Sequence, residues 1–349
     1  MDKLLSVIAG ILSATFLLIG TATARDFIQV SGSSTVLPYA KIVAETFGEI
    51  FSDYKIPVIE SGGSGAGIKE FCRGVGENTI DIANSSRPMK KTELQACFDA
   101  GVKDVQEVRI GYDGIVFATD IKGADWKLAP IDVYKALAAQ IVVNGKLQQN
   151  KVSKWKDVNS NLPNWEIAAY IPGEKHGTRE VFEEKLMMDG CVASGAVDAM
   201  KAAGMDEKAV NAACIAIRKD GRAVDIDGDY SETLARVMSN KTGIGVFGLA
   251  FYENNADKLK AATVNDVMPS VETISGGQYP VSRPLFFYVK KAHLGVIPGM
   301  KDYIEFFLSD QMIGPDGPLA DYGLIAAPDK EREAQRKAFE DGIVMSLKQ

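Results

Sequence analysis

Histidine is almost missing from this sequence, with two residues in 349, His176 and His293. Cysteine is scarce at four, and no two stand at the Cys-x-x-Cys spacing, so the chain offers no cysteine metal framework. No glycine-rich turn is followed by Gly-Lys-Ser/Thr, which excludes a Walker phosphate loop. Gly63 and Gly65 match the opening of a dinucleotide fingerprint, but Ile68 stands where its third glycine is required. Positive charge is outnumbered, 39 Lys and Arg against 46 Asp and Glu, for a net charge of -7. That balance argues against general nucleic-acid binding, which needs a basic footprint. It leaves a small anion open, because a few N–H groups and one arginine can build a local positive site in an acidic protein.

Long apolar runs are missing everywhere except at the start. Leu4–Ile19 is almost entirely apolar, follows Lys3 and is succeeded by Ala22-Thr23-Ala24. The run is shorter than the ~20 residues a spanning helix needs. Its layout is that of a secretory signal, residues 1–24, cleaved before Arg25. No cysteine closes it, so lipid anchoring through a cysteine there is excluded. About 325 residues remain, enough for two cores. The four cysteines fall as two local pairs. In an exported protein this favours Cys72–Cys97 and Cys191–Cys214 among the three connectivities. Each closure contributes about 3 kcal/mol by the loop-entropy argument.

The remaining chain alternates short β-rich runs with amphipathic helical ones. Strands are expected at Phe27–Val30, Ile56–Glu60, Ile80–Ala83, Val105–Ile110 and Gly114–Ala118. Helices are expected at Val36–Ile50, Ile68–Arg73 and Thr92–Ala100, the last opened by a Thr92…Gln95 capping box. This rhythm predicts an α/β fold with mixed, mostly parallel sheets flanked by helices. Further on, helices are expected at Pro130–Ile141, Thr178–Met188 and Tyr230–Ser239, and a strand at Leu285–Val289. A terminal helix is expected over Lys330–Lys348. There is no linker-like tract, so two lobes must be joined by ordinary strands.

Four loops carry the candidate chemistry. Ser33-Ser34-Thr35 lies between a strand and a helix whose first turn holds Pro38. Free N–H groups at that helix start, with the hydroxyls, suit an oxyanion; simple capping is the alternative. The second loop, Ser61–Gly67, holds Ser64 among four glycines that allow close backbone approach. The third, Asn84-Ser85-Ser86-Arg87, ends a strand in hydroxyls and an arginine able to grip an oxyanion with two bonds. The fourth, Pro172–Arg179, contains His176, Gly177, Thr178 and Arg179. Arg179 is poorly placed at a helix start unless an anion lies near it. His293 reads as a surface residue. Three loops from one lobe and one from the other would together complete an anion's donor shell.

The segments VSGSSTVLPYAKIVAETF, ESGGSGAGIKEF, DIANSSRPM, YDGIVFATD, VSKWKDV, GIGVFGLAFY and YPVSRPLFFYVKK resemble the phosphate-binding proteins of bacterial phosphate ABC transporters. The resemblance spans nearly all of the chain after the leader. It implies the two-lobed type II periplasmic binding protein fold, with crossover strands near Asp113–Thr119 and Pro284–Val289. Lobe 1 is then 25–116 with 284–349, and lobe 2 is 117–283. It implies a monomer that binds inorganic phosphate in the periplasm and hands it to a membrane permease, without cofactor, metal or nucleic acid. Matching binding positions are Ser34, Thr35, Ser64, Ser85, Ser86, Arg87, Gly177 and Thr178. The second-lobe loop departs from the family pattern. Pro172 replaces an arginine, Lys175 a glycine and His176 a serine, and Ser86 stands where some members carry an aspartate. Arg87, Arg179 or His176 would compensate for the lost arginine, and Glu174 or His176 would supply the lost acceptor. The competing functions are binding of sulfate, molybdate or a phosphonate, a secreted phosphatase, and an adhesive or structural role.

Overall fold

Three short strands, Gln29–Gly32 (β1), Val58–Ser61 (β2) and Ile82–Ser85 (β3), pair in parallel in the order β2-β1-β3. Helices Leu37–Ile50 (α1), Ser64–Phe71 (α2) and Lys91–Asp99 (α3) follow them in turn. The computed structural model describes residues 25–173, 178–227 and 230–347. The expected leader, residues 1–24, and His176 and Gly177 lie outside that set.

Each helix follows from its sequence. α1 buries Tyr39, Ala40, Val43, Ala44 and Phe47, one apolar face at helical spacing. Pro38 sits in its first turn, and Ser33 Oγ accepts from the N–H groups of Thr35 and Val36. α2 lies so close to the sheet that a Cβ on Gly67 would fall 2.4 Å from Gly32 Cα. That approach explains one glycine of the expected binding loop by packing alone. α3 begins one residue earlier than expected. Its start is closed by Glu93, whose carboxylate accepts from Lys90 N–H at 2.8 Å, rather than by Gln95.

The two strands expected at Val105–Ile110 and Gly114–Ala118 are one strand, Val105–Asp120 (β4). Its first ten residues pair antiparallel with the strand Ser282–Lys290, and its last six pair with Ile244–Gly248 and Leu259–Ala261. Gly111, at φ +150°, lets the chain bend without ending the ladder. Its partner strand shifts register between Leu285 and Phe286, opposite that bend. Beyond the bend, Ile244–Gly248, Ala169–Pro172 and Ala223–Ile226 form a second parallel set. The terminal helix is shorter than expected, Asp329–Glu340.

Apolar clusters follow the same division. One is built almost wholly from Tyr112–Val281. Two others combine Ile28–Ile110 with Leu285–Phe339. The molecule is therefore a two-lobed α/β protein with mixed sheets flanked by helices, both lobes sharing β4. Both expected disulfides form: Cys72–Cys97 ties the end of α2 to α3, and Cys191–Cys214 ties two helices of the other lobe.

His293 is buried, not on the surface. Its Nδ1 lies 2.6 Å from Asp81 Oδ1, and its Nε2 accepts from Gly76 N–H. An accepting Nε2 puts the ring proton on Nδ1, facing the carboxylate. Arg25 grips the same carboxylate with two bonds of 2.5 and 2.6 Å, pinning the first described residue to β1 and β3.

Candidate anion site

Parallel register gathers the first three loops. Gly32 pairs with Ser61 and with Asn84, so the loops after β1, β2 and β3 leave one sheet edge side by side. Gly62 and Gly63 N–H groups bond to Gly32 carbonyl, and Ser33 N–H bonds to Asn84 carbonyl. The loops are thereby sewn together before any ligand is considered. Ser64, the first residue of α2, accepts from Ser86 N–H at 3.1 Å and lies 3.2 Å from Ser86 Oγ.

The second parallel set does the same in the other lobe. Pro172 pairs with Ile226, so the chain leading to Thr178 and the chain leading to Tyr230 leave that edge together. Tyr230 Oη donates to Thr178 Oγ1 at 3.4 Å. After Thr178 a helical turn, Arg179–Phe182, runs into a π-helical segment, Glu183–Met188. Glu180 and Glu184 lie four residues apart, Glu180 reaching the loop after β1 and Glu184 reaching Arg283.

Between the two edges lies a charged cluster, three carboxylates around one guanidinium. Arg283 and Asp113 are direct partners across the β4 ladder, each about 95% buried or more. Arg283 Nη2 donates to Thr35 Oγ1 at 2.7 Å and lies 3.4 Å from Glu180 Oε2. Arg283 Nη1 donates to Glu184 Oε2 at 3.0 Å. Arg283 Nε stands 3.8 Å from Asp113 Oδ2, and neither atom has a hydrogen-bond partner among the described residues. Thr35 and Ser34 hydroxyls donate to Glu180 Oε2 at 2.7 and 3.1 Å.

Burial sets the electrostatics here. It pushes the Asp113 carboxyl up to about 6, against the pull of Arg283 and with a further push from Glu180. Burial and the charge of Asp113 raise the hydroxyls of Tyr39 and Tyr230 above the usual phenol range. Both phenols therefore stay protonated at neutral pH as donors.

The loop residues named from sequence divide into two groups. Ser34, Thr35, Ser64, Ser86 and Thr178 lie along the facing edges. Ser33 is turned inward, its Oγ accepting from the N–H groups of Thr35 and Val36 just before α1, and Ser85 Oγ donates to the carbonyl of Arg87 at 2.6 Å. The two arginines named from sequence need correction. Arg87 spends its fork on Glu93, with bonds of 2.9 and 2.7 Å. Arg179 is buried against Glu183, Asp225 and the Pro172 carbonyl, so its awkward helix-start charge is balanced by protein groups rather than an anion. The arginine of the cluster is Arg283. Sequence reading missed it, together with Asp113, Glu180 and Tyr230. A lone acid in YDGIVF and a lone arginine in SRPLFF, each inside an apolar strand, were the available signals.

Comparison with known proteins gives a consistent picture. Residues 20–311 match the family described as "PBP superfamily domain". The Staphylococcus aureus phosphate-binding protein PstS is 32% identical over 331 residues, covering 92% of this chain and 86% of that protein. Protein SphX of Synechococcus elongatus is 30% identical over 347 residues, covering 95% of this chain and 87% of that protein. A crystal structure of a possible phosphate binding protein from Planctomyces limnophilus superposes with a TM-score of 0.69 at 26% identity. The match covers 92% of this chain and all of that one.

Proposed function

We propose, since this chain belongs to the PBP superfamily and has phosphate-binding proteins among its relatives, that it captures inorganic phosphate reversibly in the periplasm and delivers it to an ABC permease. The observation that carries the reading is the convergence of Ser34, Thr35 and the buried Arg283 on one carboxylate oxygen. Donors that hold a carboxylate oxygen can hold a phosphate oxygen. Ser64, Ser86 and Thr178 extend the donor shell along the two edges, and in this reading His176 and Gly177, outside the described residues, count among the ligand's contacts. Asp113, ionised above about pH 6, accepts a hydrogen bond from the hydroxyl of hydrogen phosphate and repels an oxyanion that carries none. The role is binding without covalent chemistry. The chain works as a monomer after loss of residues 1–24, with lobe 1 formed by 25–116 and 284–349 and lobe 2 by 117–283.

The test is calorimetric titration of the chain from Arg25 onward with phosphate, and with sulfate, molybdate and a phosphonate as competitors. One phosphate site that sulfate does not compete for is expected. Arg283→Met is expected to weaken binding about 100-fold, the loss of charge-assisted bonds. Arg87→Met, whose fork is held by Glu93, is expected to change it by less than about threefold. No phosphate binding between pH 5 and 8 would overturn the reading.

A further inference from the structure

We propose that Glu180 is a tethered occupant of the anion site, which latches the two lobes together and must be displaced before phosphate enters. The inference rests on the phosphate reading for the identity of the ligand, but not for the latch.

The geometry is that of a bound anion. Glu180 Oε2 receives Ser34 Oγ at 3.1 Å and Thr35 Oγ1 at 2.7 Å, with Arg283 Nη2 at 3.4 Å. Ser34 and Thr35 belong to the loop after β1, whereas Glu180 stands at the start of the second lobe's helical segment. The two hydroxyl contacts therefore cross the cleft, and Arg283 meets Glu180 from the strand at its floor. Glu180 is partly exposed, at 42% of its side chain, while Arg283 is 5% exposed. The glutamate can swing out to water at low cost. The arginine cannot, since it is fixed in the ladder opposite Asp113.

Charge makes displacement obligatory. Facing Arg283 are Asp113 from β4 and Glu180 and Glu184 from the helical segment. The phenols of Tyr39 and Tyr230 complete the surroundings and carry no charge at neutral pH. With all three carboxylates ionised, Arg283 and the Lys185 ammonium, 3.6 Å from Glu184, still leave one negative charge in excess. A phosphate dianion cannot share the donors with Glu180 against that excess. Ligand entry is then an exchange of one oxyanion for another. The protein keeps its buried guanidinium paired throughout, and the affinity measured for phosphate is the difference between two anions' hold on the same donors.

Two variants test this. Glu180→Gln keeps the shape and removes the charge; Glu180→Ala removes the contact. Calorimetric titration with phosphate at pH 7.5 is expected to give a dissociation constant about tenfold lower than wild type for both. Small-angle scattering without phosphate is expected to show a larger radius of gyration for Glu180→Ala than for wild type. Unchanged or weaker phosphate binding in both variants would overturn the competition. An unchanged radius would overturn the latch. A wild-type chain that binds no phosphate would overturn the phosphate reading instead, and the scattering comparison would still decide whether Glu180 joins the lobes.

Discussion

At the scale of single residues, the burial of Asp113 has a measurable cost that Arg283 only partly offsets. Burial holds the Asp113 carboxyl at about 6, against 3.8 for the ordinary side chain. Between those values the folded chain keeps a proton that the unfolded chain has lost. Stability from this group therefore falls as pH rises from about 4 to about 6, and the full cost, about 3 kcal/mol, applies above that. Asp113→Asn removes it while Arg283 retains Glu184. The variant is expected to melt above wild type at pH 7.5 and to lose that advantage at pH 4.5. Calorimetric melting at both pH values checks it; a constant difference would remove Asp113 as the titrating group. The same residues show where reading a sequence stops. Ser34 and Thr35 were legible because hydroxyls between a strand and a helix start have a local physical reason to bind anions. Arg87 and Arg179 were misplaced because each stands beside such a loop, and nothing in the sequence says that Glu93 or Asp225 will claim it first. Asp113 and Arg283 lie 170 positions apart in sequence, and only the ladder makes them partners.

At the scale of elements, glycine decides how closely α2 approaches the sheet. A methyl group on Gly67 would meet Gly32 Cα at 2.4 Å and the Ser31 carbonyl oxygen at 2.8 Å, both backbone atoms that cannot turn aside. Gly67→Ala is expected to cost about 1–3 kcal/mol in chemical denaturation, as overpacked sites do. It is also expected to weaken phosphate binding, because Ser64 begins the same helix. Unchanged values of both would show that α2 can shift freely. The order of strands and helices was legible here, since βα alternation and apolar spacing are local. The unity of β4 was not. Gly111 and Asp113 look like a turn in sequence, and only a partner strand with its own register shift carries the ladder through.

At the scale of the whole molecule, β4 runs through both lobes, paired first with Ser282–Lys290 and then with Ile244–Gly248 and Leu259–Ala261. Amide exchange follows burial and cooperative pairing. The amides of Val108–Phe117 and Leu285–Val289 are expected to exchange slowest by mass spectrometry. The peripheral hairpin Gln140–Gln149, paired only with itself, is expected to exchange much faster. Equal rates would deny the shared ladder its central place. Two lobes were legible from length and from the lack of any linker-like tract, but the depth at which they are joined needed the register.

That join has a mechanical meaning. Tyr112–Gly114 and Ser282–Pro284 run beside one another, partners in the ladder, where the chain passes from one lobe to the other. Two adjacent, paired strips behave as a single flexure with one soft direction. Motion of the lobes then reduces to one angle. A permease that presses on either lobe at any point far from this flexure gains leverage on that angle, and needs no grip on the cargo to release it.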